Sequence, residues 1–167
     1  MKSLLKIAVS CALLITASAA AAESQRHMTI IGPSKHPTGS TLHDETIGLA
    51  YGRTWSNGGR NECMLEGGVF HNSYLETGPY AVAGCLRTVA ETPVADLLLG
   101  ASLGAAYYPT LSKKLQADFG LPATGGMIPL PMLNGAIRIG QYDFRTATTF
   151  GGKTGKIISN VSLAIHF

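Results

Sequence analysis

The segment Val161-Ser-Leu-Ala-Ile-His-Phe167 alternates without a break. Val161, Leu163, Ile165 and Phe167 fall on one face of a strand, and Ser162, Ala164 and His166 on the other. An apolar face opposite a small or polar one suits a barrel wall that meets lipid outside and a lumen inside. A half-buried strand of a soluble sandwich alternates in the same way, so this segment alone leaves both architectures open.

The other end of the chain narrows the choice. Lys2 and Lys6 flank the start of an apolar run from Ile7 to Ile15, and small residues follow as far as Ala22. That is a charged start, a short apolar stretch and a cleavage zone, so residues 1–22 are expected to be a signal peptide cut after Ala22. The run is too short for a membrane-spanning helix, which needs roughly 20 apolar residues. Cys11 sits inside it without a lipidation motif and is expected to leave with it. Residues 23–167 then form a single domain of about 145 residues.

Of 13 Lys and Arg, the signal takes Lys2 and Lys6, leaving 11 against 10 acids and a net charge near +1. Nucleic-acid binding gains no support from so small a charge. Beyond Ile15 no long apolar helix is seen, yet 46% of residues are hydrophobic and 20 are glycine. Export, glycine and apolar residues without a spanning helix together predict an all-β fold, an eight-stranded antiparallel up-and-down β-barrel. Its expected place is the outer membrane of a Gram-negative bacterium, and a monomer is expected.

Turn-rich stretches divide the mature chain into eight expected strands: Met28–His36, Glu45–Trp55, Cys63–His71, Tyr80–Val89, Asp96–Tyr107, Leu133–Ile139, Tyr142–Phe150 and Ile158–Phe167. The breaks carry turn residues, among them Pro37-Thr-Gly39, Ser56-Asn-Gly-Gly59 and Glu91-Thr-Pro93. Ile47, Leu49 and Tyr51 alternate with Gly48, Ala50 and Gly52; Leu97, Leu99 and Leu103 oppose Gly100, Ser102 and Gly104. Large residues outside and small ones inside leave room for a lumenal cavity, or else relieve crowding in a tightly coiled sheet.

Cys63 and Cys85 are nearly symmetric about the turn near Tyr74, so a hairpin would set them opposite each other. An exported protein can bridge such a pair; two reduced, buried thiols are the alternative. No Cys/His spacing resembles a metal site, and no cofactor is implied. His71-Asn72-Ser73 closes the third strand, and His36 ends the first on the same rim, although Asn-Ser is also a common turn. A rim hydroxyl with a base nearby can serve a substrate arriving from the membrane.

The run Asn72-Ser-Tyr-Leu-Glu-Thr-Gly-Pro79 through Gly84 resembles the Asp-Ser…Pro…Gly segment of the lipid A palmitoyltransferase family, PagP. Pro93-Val-Ala-Asp96 is similar to that family's Pro-Leu-Ala-Asp, and Ile128-Pro-Leu-Pro131-Met-Leu to its Ile-Pro-Leu-Pro-Val-Leu. The closing Phe167 also resembles the assembly signal of bacterial outer-membrane barrels. The resemblance implies a barrel that moves palmitate from a phospholipid donor to a lipid A acceptor. Carried over by position, His36, Asn72 and Ser73 are the catalytic set, and Gly84 is the floor of the acyl pocket. Pro129 and Pro131 mark a lateral portal for substrate where two strands part, or a rigid entry into the sixth strand.

This chain departs from the family pattern in several places. Asn72 replaces an Asp, Lys35 an aromatic residue and Gly151 a proline, and the family's N-terminal amphipathic helix is not expected. Asn72 can orient a neighbour but supplies no carboxylate charge. A non-catalytic barrel at the outer membrane and a soluble periplasmic lipid-binding barrel are the competing readings.

Overall fold

Side chains that differ in size across the pleat let a sheet curl, with its small residues turned inward. The computed structural model describes residues 23–35, 46–56, 59–72, 76–120, 122–150 and 157–167. Its strands are β1 (Glu23–Lys35), β2 (Ile47–Ser56), β3 (Asn61–His71) and β4 (Thr77–Glu91), then β5 (Asp96–Tyr107), β6 (Met127–Ile139), β7 (Tyr142–Phe150) and β8 (Ile157–His166). Each pairs antiparallel with the next and β8 returns to β1, closing an eight-stranded up-and-down barrel. The expected signal peptide, residues 1–22, lies outside the described residues.

Alternation places the side chains as the sequence suggests. On β8, His166 is 6% exposed and turned inward, while Phe167 beyond it is 67% exposed. Leu49, Leu65, Leu99, Leu103, Ile137, Phe144 and Val161 stand exposed on the outer wall. Residues 59–60, 92–95 and 140–141 lie in short connections at the end that also holds Glu23 and Phe167. The tightest is Gly140-Gln141, where Gly140 takes a φ of 57°, a left-handed conformation that glycine adopts without strain. The opposite rim carries the connection from β5 to β6.

Two boundaries move from expectation by five residues or more, and others by one to three. β1 starts at Glu23 rather than Met28, and β6 at Met127 rather than Leu133, running through both prolines. The prolines are tolerated because this stretch of β6 pairs with β5 alone: its ladder to β7 runs from Met132↔Thr149 to Ile139↔Tyr142. The connection from β5 to β6 also carries a short helix, α1 (Ser112–Phe119), closed by Gly120 at φ 66°.

Cys63 and Cys85 are ladder partners on β3 and β4 and form a disulfide, with Cα atoms 3.9 Å apart. Both share the outward parity of Leu65 and Ala83, so the bridge clips the hairpin from outside.

Candidate functional site

Charged residues that share the inward parity of β3, β6 and β7 must pair across the lumen, because burying a lone charge is costly. Toward the short-turn end they do so. The Arg138 guanidinium donates to both oxygens of Glu62 at 2.7 and 2.8 Å, and to both oxygens of Asp143 at 2.7 and 2.8 Å. Asp143, fully buried, also accepts from Arg145 Nη2 at 3.0 Å and lies 2.8 Å from His166 Nε2.

One step farther in, Glu66 accepts the hydroxyls of Thr29 at 2.6 Å and Tyr80 at 2.7 Å, and Arg145 Nη1 at 3.4 Å. His27 Nε2 stands 3.1 Å from Glu66, and its Nδ1 stands 3.1 Å from the Thr54 hydroxyl. Gly52 makes this possible: a Cβ there would meet the His27 ring. The result is a cross-braced ionic floor spanning strands from β1 to β8.

Above the floor lies a cavity of about 210 Å³. Ile31, Val82, Leu86, Ile128, Leu130 and Met132 supply apolar walls, with Met64, Glu66 and Arg145 at the inner end. Ser34, Thr46 and Asn160 also face it, but their polar atoms are occupied. The hydroxyls of Ser34 and Thr46 lie 2.9 Å apart, and both Thr46 and the Asn160 amide donate to the Gly32 carbonyl, at 2.6 and 2.8 Å. The surface left to a guest is therefore largely carbon. Near the loop end Phe70 packs edge-on against Tyr80 and Tyr108, with centroids 5.4 and 5.8 Å away. Burial raises the Tyr108 hydroxyl above the ordinary tyrosine range, so it stays protonated beside Asn72.

Of the residues expected in the site, His36 and Ser73 lie outside the described residues. Their neighbours Ser34 and Asn72 both line the cavity at the loop end. Asn72 is buried; its Oδ1 accepts the Glu76 N–H at 3.1 Å, and its own N–H bonds the Glu76 carbonyl at 2.9 Å. Glu76 in turn accepts the backbone N–H of Leu111 at 3.1 Å, tying this loop to the connection that leads into α1. Asn72 thus ties the end of β3 to Glu76 at the start of β4.

Gly84 turns inward on β4, but no open space adjoins it. A Cβ there would lie 2.5 Å from the Ala101 carbonyl oxygen and would meet the Ser102 side chain. The other inward glycines behave alike: Gly48 faces Phe70 and Gly104 faces Val82. Glycine therefore relieves crowding in this sheet, and the cavity lies against larger side chains. Pro129 and Pro131 share the outward parity of Leu133, past the end of the β6–β7 ladder, where strands are expected to part.

The floor residues Glu62, Glu66, Arg138, Asp143 and Arg145 were not singled out from sequence, although strand alternation turns each of them inward. No group of His, Cys, Asp and Glu able to hold a metal occurs among the described residues.

No protein-family model and no curated protein matches the chain. Among solved structures, a de novo designed transmembrane β-barrel is similar, with a TM-score of 0.52 and 11% identity over 86% of this chain and 95% of that one. The N-terminal barrel of Pseudomonas aeruginosa OprF covers 86% of this chain and 97% of its own at 11% identity, TM-score 0.49. The attachment invasion locus protein Ail of Yersinia pestis covers 87% and 99% at 14% identity, TM-score 0.47. At such identities the likeness to the designed barrel is one of fold: this chain has the architecture of a small transmembrane β-barrel.

Proposed function

We propose that this protein spans the outer membrane and takes an acyl chain into its lumen, transferring it from a phospholipid to lipid A as the resemblance to PagP implies. The observation that supports this reading best is the apolar cavity, lined at the loop end by Asn72 and Ser34 and closed at the other by the ionic floor. An acyl chain fits such a space because each methylene removed from water contributes about 0.8 kcal/mol. The ester at its head would then rest at the rim. There His36 would take the proton of the acceptor hydroxyl as the new ester bond forms and return it to the lysophospholipid oxygen as the old one breaks, with Ser73 donating to the carbonyl oxygen.

A second reading keeps the acyl chain and drops the transfer. It is favoured by Asn72, whose amide oxygen is engaged by Glu76 and carries no charge to activate a neighbour. Mass spectrometry of lipid A from cells making the protein separates the two. Transfer adds one acyl chain to lipid A, and Ser73→Ala abolishes the addition. Unmodified lipid A beside the wild-type protein would leave acyl binding without catalysis.

A further inference from the structure

We propose that Arg26 and Arg53 form a binding site, on the outer wall at the short-turn end, for the phosphate of an anionic phospholipid. The site rests on the reading that the barrel spans a bilayer. All six arginines lie in the described residues, and they divide into two groups. Arg138 pairs with Glu62 and Asp143, Arg145 with Asp143 and Glu66, and Arg60 with Glu91. Arg26, Arg53 and Arg87 pair with no Asp or Glu side chain among the described residues, and of these Arg26 and Arg53 are direct ladder partners on β1 and β2. Both are exposed and share the outward parity of Met28 and Tyr51.

Two like charges directly opposite in a ladder destabilise it, so this arrangement calls for an anion between them. The Ser24 hydroxyl accepts from Arg53 Nη2 at 2.6 Å, which fixes one guanidinium in place. Arg26 is held through its backbone, which exchanges hydrogen bonds of 3.2 and 2.9 Å with Phe167. Phe167 and Tyr51 pack as a tilted ring pair with centroids 6.4 Å apart, beside the arginines. Basic groups bordering aromatic rings on an apolar wall mark the level of lipid headgroups.

Guanidinium forks match phosphate oxygens in pairs, and acyl chains from the same lipid would lie along Met28, Ile30 and Leu49. The headgroup is selected by charge. Phosphatidylglycerol brings a net negative phosphate, whereas the ammonium of phosphatidylethanolamine is repelled by both arginines. Short turns face the periplasm in barrels of this kind, so the lipid belongs to the periplasmic leaflet.

Trp55, the only tryptophan, is buried at 7% exposure, so every protein in the test carries Trp55→Phe together with Leu49→Trp, which sets a reporter on the exposed outer wall of the same strand. The barrel is placed in phosphatidylcholine vesicles, and quenching of the tryptophan at position 49 is titrated with bromine-labelled phosphatidylglycerol or phosphatidylethanolamine. The wild-type protein should prefer the anionic lipid by roughly tenfold. Arg26→Gln with Arg53→Gln should bring the preference close to one, while brominated phosphatidylcholine still quenches as in wild type, proving insertion. Arg87→Gln, an outward arginine two strands away from Arg53, should keep the preference. Equal quenching of the wild type by both lipids, or a preference that survives the double substitution, overturns the site. Loss of preference in Arg87→Gln as well reduces it to diffuse charge and overturns it too. If no brominated lipid quenches the tryptophan at position 49, the bilayer reading falls and the site with it.

Discussion

Gly84 separates what a residue type suggests from what its surroundings permit. A glycine turned into a lumen invites the idea of a pocket floor, where a longer side chain would shorten the guest. Here the missing side chain lets β4 approach β5, with the Ala101 carbonyl and Ser102 filling the space. Gly84→Ala should therefore cost about 1–3 kcal/mol of unfolding free energy through overpacking. Gly67→Ala is the matched control: it points outward on the neighbouring strand, and its nearest contact would be the Tyr80 carbonyl at an ordinary 3.6 Å. That change should be neutral, or stabilise by up to about 1 kcal/mol as the unfolded chain loses freedom. Urea unfolding of both variants in lipid vesicles checks the contrast, and equal midpoints would refute the crowding account.

The β3–β4 hairpin presents the loop at Asn72, and its strands are joined by Cys63 and Cys85, 22 residues apart. Closing a loop of that length restricts the unfolded chain by about 3 kcal/mol. Cys85→Ser should lower stability by that order, and a thiol reductant should do the same to the wild type while leaving Cys85→Ser unmoved. Shifts in the unfolding midpoint, with and without reductant, test this; no shift in either would show that the bridge does not contribute. Hairpin symmetry made this pairing legible in the sequence, as alternation did the faces of β2, β5 and β8. The start of β6 was hidden because Pro129 and Pro131 read as a break when no partner on the β7 side is needed. Helix α1 carried no readable start, since Leu111 at its N-cap makes no side-chain cap and no acid occupies the first turn. The ionic floor was harder still. Glu62 and Arg138 are 76 residues apart and meet across the lumen, a contact set by closure of the ring and not by any ladder.

As a whole the molecule is a tube divided in two, with charge at the short-turn end and carbon at the loop end. The division follows from position: the charged pairs come from the short-turn ends of β3, β6 and β7, and the apolar lining from the loop-side stretches of β4 and β6. The two halves can therefore be altered separately. Leu130 faces the cavity from β6 and takes no part in the Glu62–Arg138–Asp143 or Glu66–Arg145 pairs. Leu130→Trp should fill space that an acyl chain would occupy while leaving the floor intact. Binding of a fluorescent palmitate analogue to the purified barrel should weaken by about tenfold or more, a loss near 1.4 kcal/mol, equivalent to roughly two methylenes left unburied. The unfolding free energy should fall by no more than about 1–3 kcal/mol, because the ring enters the cavity although Leu130 also packs against Ala106, Tyr108 and Ile128. If the analogue binds the variant as it binds wild type, the acyl chain does not lie in this cavity. If it binds neither protein, the lumen holds no acyl chain, and the transfer and binding readings fail together.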